Sequence, residues 1–280
     1  MKFKIISDST CDLTKDFVEK YNITIIPLTV IKDSEPFRDG VDITPADIFA
    51  HVAAGGNLCS TTAINVGEYG EIFETYSKEY DGVLLINIGS GFSCCYQNAC
   101  LAAEEFENVR VLDSKNLSTG QGLIVLKACE LANECESIDE LYEKTRAYVE
   151  KVESSFLLDQ LQYMVKGGRC SSAAALGANL LNLKPCIEVK DGKMGVVKKY
   201  RGNYAKSLAS YIKERLDGRD DLDRDTLFVT MTPISDECRE AVKAAIESYA
   251  NFSNIYWCEA GSTVSCHCGP GTLGVLFIRK

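Results

Sequence analysis

"VLLINIGSGFSCCYQNACLAAEEF", residues 83–106, decides how the rest of the chain is read. Its first six residues are apolar except for Asn87, with none of the polar alternation of a strand that has one wet face. A short unbroken apolar run of this kind suits a strand covered on both sides. Gly89 and Gly91 then loosen the backbone, and a helical pattern follows over 98–106. Strand, glycine loop and helix together make half of a βαβ unit, so a parallel sheet with helices on its faces is the expectation.

The flanking segments repeat the theme. "FKIIS" (3–7) and "TIIPLTVI" (24–31) read as strands rich in β-branched residues, with a helix over 13–21 between them. "VGEYGEIFETY" (66–76) puts Val66, Tyr69, Ile72, Phe73 and Tyr76 on one helical face. "VRVLDS" (109–114) is a further strand, and 119–134 is helical. Ser137 and Glu140 have capping-box spacing ahead of the helix over 137–152. After residue 153 the pattern shifts. A short strand (154–159) leads to a helix stopped by Gly167 and Gly168, then to a small-residue helix over 172–181. "CIEVKDGKMGVV" (186–197) is a hairpin, because Asp191-Gly192 is the dipeptide that a type I′ turn favours. Helices over 204–216 and 235–249 then alternate with strands over 226–232, 254–259 and 273–278. The expected fold is α/β in two domains. Residues 1–153 form a mostly parallel sheet covered by helices, and residues 154–280 form an α/β domain with an antiparallel hairpin. A ligand is expected in the cleft between them.

Composition narrows the function. The 280 residues are 46% hydrophobic and 25% charged, as in an ordinary soluble globular protein, with a net charge of -10. That charge argues against non-specific binding to nucleic acid or anionic membranes. No signal-peptide pattern opens the sequence and no window is apolar enough to span a bilayer, so a cytoplasmic location is expected. The thirteen cysteines include no C-x-x-C pair, which favours reduced, mostly buried thiols over a disulfide framework.

Several residues are candidates for chemistry. Ser93 stands between a glycine loop and a helix. It can cap that helix, hold an anion at the helix N-terminus, or act as a nucleophile. The G-x-S-x-G elbow of hydrolases is missing, since Ile88 and Phe92 occupy the glycine positions around Ser90. His267 lies in a glycine-rich loop before the last strand, as a polar ligand contact. Cys266, His267 and Cys268 resemble a metal motif only superficially, because neighbours on an extended chain point in opposite directions. His51 reads as a surface residue, and Thr61 and Thr62 as caps of the helix that follows. Lys166 and Arg169, and separately Lys198, Lys199 and Arg201, are local basic groups in an acidic protein and suit an anionic ligand or partner. Asp8 and Asp113 each close a strand, where open α/β sheets place their ligands.

The loops also resemble a known family. "IISDSTCDL" (5–13), "STTAINVGEYGEIF" (60–73), "GSGFSCCYQNA" (89–99), "VLDSKNLSTGQG" (111–122), "LQYMVKGGRC" (161–170), "LLNLKPCIEV" (180–189) and "SCHCGPGTLGV" (265–275) occur in the order of the DegV family. That family includes FakB-like subunits of bacterial fatty acid kinase. The resemblance implies a long-chain fatty acid bound between two α/β domains. It puts the carboxylate ligands at Thr61, Thr62, Ser93 and His267, and partner-facing arginines at Arg169 and Arg201. It further implies a carrier without catalytic residues, cofactor or metal, serving a kinase that phosphorylates the carboxylate to an acyl-phosphate. It leaves room for transient membrane contact. The chain departs from the family pattern at Ala63-Ile64-Asn65, where Gln-Pro-Ser is usual, and at Cys94-Cys95, where Gly-Thr is usual. Two other readings stand beside the carrier. One is a serine hydrolase using Ser93 and His267 with Asp8 or Asp113. The other is a lipid sensor that acts without a kinase.

Overall fold

The runs rich in β-branched and other apolar residues form strands, and those covered on both faces are buried throughout. In the computed structural model, which describes residues 1–176 and 183–280, the first half runs as follows. It comprises β1 (Phe3–Asp8), α1 (Lys15–Lys20), β2 (Thr24–Ile26), β3 (Thr29–Lys32), β4 (Glu35–Arg38), α2 (Pro45–Ala53) and β5 (Ser60–Thr62). It continues through α3 (Val66–Glu79), β6 (Gly82–Asn87), α4 (Cys95–Ala103), β7 (Val109–Asp113), α5 (Ser118–Leu131) and α6 (Ile138–Val149). The second half contains β8 (Val152–Leu157), α7 (Gln162–Gly167), α8 (Ser171–Ala174), β9 (Leu183–Lys190), β10 (Lys193–Arg201) and α9 (Tyr204–Leu216). It ends with β11 (Leu222–Met231), α10 (Asp236–Tyr249), β12 (Asn254–Glu259), α11 (Ser262–Cys268) and β13 (Leu273–Arg279).

Among the described residues the strands form three sheets. Strands β2-β1-β6-β7 form a parallel sheet in that order. Strands β10-β9-β8-β13-β11-β12 form a second sheet, antiparallel except for the β11–β12 pair. Every residue of β6 is buried, as its unbroken apolar run requires. Asp191 (φ 50) and Gly192 (φ 72) both take the positive φ of a type I′ turn, so the hairpin forms where the dipeptide put it.

Four expectations are corrected. Pro27 divides the run 24–31, since its missing N–H ends one ladder; β2 joins the parallel sheet and β3 leaves it. The third sheet, β4-β3-β5, is antiparallel and had no separate signal in the sequence. Thr61 and Thr62 belong to β5 and do not cap α3, whose N-cap is Asn65 in a reciprocal box with Glu68. His267 sits on α11, so its stretch is helical up to Gly269. The helix expected over 172–181 is α8 as far as Ala174. Residues 177–182, including the start of "LLNLKPCIEV", lie outside the described residues.

Helix α5 joins the two large sheets. Eleven of its fourteen residues are buried, and a helix apolar on every side must be enclosed on every side. Its Leu123–Leu126 stretch packs in one core with Ile5, Leu84 and Ile86 from the parallel sheet and Phe228, Leu276 and Ile278 from the other. A line of buried polar groups fixes its first turns. Gln121 Nε2 donates to Asp8 (3.2 Å) and Ser7 (2.9 Å). Asp8 also accepts from the Ile88 N–H (2.7 Å) and Asn87 (3.2 Å), and burial pushes its carboxyl above the usual range. Asp8 therefore pins the loop after β6 and is fully occupied in doing so.

Candidate functional site

Beyond the carboxyl ends of β1 and β6 the chain leaves in opposite directions, and the second sheet faces the gap. Open α/β sheets place ligands at such a switch point. A cavity of about 440 Å3 occupies it, within the size range of small-molecule sites. Its apolar walls come from the six-stranded sheet, from the loop after β6 and from helices α7 and α11, among them Ile88, Phe92, Phe156, Met164, Val264 and Leu276. Thr61, Thr62, Ser93, Arg169 and His267 also line it.

Each polar group is held by its local structure. Thr61 Oγ1 and His267 Nε2 are 2.9 Å apart, across 206 residues of sequence. Gly167 permits this arrangement, because a Cβ there would come within 2.5 Å of His267 Nδ1. That nitrogen is buried without a hydrogen-bond partner among the described residues. Burial, with the Arg169 guanidinium nearby, holds the imidazole down to about 4, so it is neutral at physiological pH. Ser93 Oγ accepts weakly from the Cys95 N–H (3.3 Å) and donates to Cys95 Sγ (3.2 Å). A thiol is a poor acceptor, so that proton is free to turn toward a better one. Ser90 is tied to Asp113 through its N–H (3.0 Å) and hydroxyl (2.5 Å), which orders the loop around Ser93. Arg169 is exposed at the cavity wall and donates to the Gly167 carbonyl (2.6 Å); among the described residues it meets no carboxylate.

Other candidates are placed elsewhere. Arg201 ends β10, exposed and outside the cavity lining. His51 is half-buried 3.4 Å from Asp33, which corrects its reading as a plain surface residue. The hydrolase constellation is not assembled. Among the described residues His267 bonds to Thr61 and Ser93 to Cys95, while Asp8 and Asp113 hold loops.

No sequence pattern marked the groups that carry α11. Asp39 accepts from the backbone N–H groups of Ser262 (2.8 Å) and Thr263 (3.2 Å) and from Ser9 Oγ (2.9 Å). Asp12 accepts from the Gly261 N–H (2.9 Å) and Ser118 Oγ (2.6 Å), and burial pushes it up to about 8. Two aspartates from the first half thus satisfy the open first turn of the helix that bears His267. Partners more than 220 residues apart leave no local pattern; the nearest available signal was the surplus of aspartates at strand ends.

His267 makes the site sensitive to acid. Its folded pKa lies below the unfolded value of 6.5, so the unfolded chain takes up the proton first. Stability contributed by neutral His267 is complete above about pH 6.5 and is lost as pH falls toward 4. Allowing for its partial exposure, a loss of about 1–2 kcal/mol is expected across that window. Urea titrations of wild type and His267→Gln at several pH values measure it. The variant should lack this component, and parallel curves would show that His267 does not titrate there.

Comparison with known proteins follows the same lines. A family profile described as "Uncharacterised protein, DegV family" matches residues 2–280. A DegV domain-containing protein of Clostridium acetobutylicum is 31% identical over 283 residues, covering 100% of this chain and 99% of that protein. The chain is similar to a solved DegV family protein of Thermus thermophilus described for its fatty acid binding, with a TM-score of 0.89, 27% identity and full coverage of both chains. It is also similar to a stearic-acid-binding protein of Eubacterium ventriosum, with a TM-score of 0.80 and 26% identity over 99% of this chain and 98% of that one.

Proposed function

The chain belongs to the DegV family, and from that membership and the cavity between its sheets we propose that it binds a long-chain fatty acid and presents the carboxylate to a partner kinase. The observation that carries the reading is the pairing of an apolar cavity with a cluster of neutral donors and with Arg169, which meets no carboxylate among the described residues, on its wall. Such a site suits a ligand with a long apolar body and one anionic end. Thr61, Thr62, Ser93 and His267 hold the carboxylate. Arg169 stands at the opening, where it can touch both head group and partner. Arg201, on the outer edge of β10, faces the partner only. The kinase transfers a phosphoryl group to the exposed carboxylate, and this chain serves as carrier. Residues 1–153 and 154–280 act as the two walls of the site. The protein works in the cytoplasm; no helix among the described residues is long and apolar enough to cross a membrane.

The energetics separate the roles. About fourteen buried methylenes at ~0.8 kcal/mol each give a gross tail contribution on the order of 11 kcal/mol. One hydrogen bond to a charged head group adds only about 1.5–3 kcal/mol. The tail sets affinity, and the donors set orientation. Organic extraction of the purified protein, followed by lipid analysis, is expected to release a long-chain fatty acid. A lipid-free preparation that takes up none overturns the reading. Ser93→Ala is expected to weaken binding of a fluorescent fatty acid by ~1–3 kcal/mol. Arg201→Ala should leave that affinity unchanged while slowing acyl-phosphate formation with the kinase. Equal rates for Arg201→Ala and wild type would remove Arg201 from the partner face, and no acyl-phosphate from the wild-type carrier would favour a sensor that works without a kinase.

A further inference from the structure

Two thiols flank the Thr61–His267 pair. Cys59 is two residues before Thr61, immediately ahead of β5, and residues two apart on an extended chain leave by the same face. Cys266 precedes His267 on α11. Cys266 is buried with Val30, Ile43 and Ile48, and half-buried Cys59 packs against the same cluster. The two thiols thus share one small apolar cluster, where the segment ahead of β5 meets α11. All thirteen cysteines are free.

We propose that Cys59 and Cys266 form a reversible disulfide that pulls apart the Thr61–His267 pair, making the site responsive to hydroperoxides. The chemistry balances with a hydroperoxide as two-electron oxidant. The Cys59 thiolate attacks the peroxide oxygen, forming a sulfenic acid and releasing an alcohol, or water from hydrogen peroxide. The Cys266 sulfur then attacks the sulfenic sulfur, the S–S bond forms and a second water leaves. Two thiols and one peroxide give one disulfide, with both protons carried away on oxygen. Cys59 is the first to react because it is the more exposed of the two. Burial raises both thiols, so the step quickens with rising pH. Sulfur atoms joined covalently lie far closer than sulfur atoms of thiols that merely pack in one cluster. Closing that gap shifts α11 against the segment leading into β5. His267 and Thr61 are the adjoining residues, so their hydrogen bond takes up the displacement.

The consequence for binding rests on the fatty-acid reading; the pairing of the two sulfurs does not. The test uses the full chain, reduced, desalted and exposed to hydrogen peroxide at alkaline pH. Free thiols are then blocked, and the protein is digested without reductant for mass spectrometry. A cross-linked Cys59–Cys266 peptide is expected, together with about tenfold weaker binding of a fluorescent long-chain fatty acid, as for loss of one hydrogen bond to a charged group. Dithiothreitol should reverse both. Cys59→Ser should remove both responses and keep the affinity of the reduced protein, and Cys266→Ala supplies the same test from the other sulfur. Exposed Cys94 is the internal control. If Cys94 is oxidised while Cys59 and Cys266 remain thiols, the pairing is wrong. If the disulfide forms and affinity is unchanged, the regulation is wrong. A reduced chain that binds no fatty acid overturns the functional reading instead, and the peptide map still decides the pairing.

Discussion

Replacing Asp39 by alanine is expected to destabilise the protein by about 3–5 kcal/mol, since three donors in a nearly dry site lose their acceptor at about 1–3 kcal/mol each, with partial recovery by water. Asp39 is 4% exposed and, among the described residues, is the acceptor for the N–H groups of Ser262 and Thr263. The N–H groups cannot turn elsewhere, because α11 fixes their direction. Asp39→Asn keeps the shape and one oxygen, so it should recover roughly half of the loss. Urea unfolding gives the stabilities, and fatty-acid titration tests the link to the site. Because α11 carries His267, affinity should fall with stability in the alanine variant. An alanine variant within about 1 kcal/mol of wild type would mean that water replaces the carboxylate fully.

Val264→Trp should nearly abolish lipid binding without unfolding the chain. Val264 is one helical turn before His267 on α11; it is half-buried and lines the cavity. An indole there would occupy the space of about four or five methylenes, which at ~0.8 kcal/mol each predicts a loss of about 3–4 kcal/mol of binding energy. Val264→Ala leaves the channel open and should change affinity little. Titration with a fluorescent acid measures both variants, and a thermal melt shows that each is folded. Undiminished affinity in the tryptophan variant would place the tail along another wall.

The alternation of strands and helices was readable because burial on both faces leaves a continuous apolar run, as in β6, and because Asp191-Gly192 dictates its own turn. The break at Pro27 was also written in the sequence, but a strand-like composition on both sides masked it. The site was far less legible. Thr61 and His267 meet across 206 residues, and no spacing rule reports such a contact. They were brought together in advance only by the resemblance to a family, while Ser93 taken alone left cap, anion ligand and nucleophile all open. Asp12 and Asp39 went unnoticed, and Gly167 was read only as a helix stop, for a related reason. Their roles consist entirely in what they touch after folding, and an aspartate after a strand or a glycine after a helix has many ordinary uses.

The enclosure of α5 has a consequence for biosynthesis. Its second wall is the six-stranded sheet, and β13, the last of that sheet's strands in chain order, lies inside the sheet between β8 and β11. A sheet missing an inner strand cannot join β8 to β11, so it cannot close while β13 is still unmade. Leu123–Leu126 and their neighbours therefore stay half uncovered during translation, after the parallel sheet has already had the chance to form. The nascent chain carries a sticky apolar ridge until late in its synthesis. Folding yield in the cell should then respond to chaperone supply and translation speed more than the stability of the finished protein would suggest.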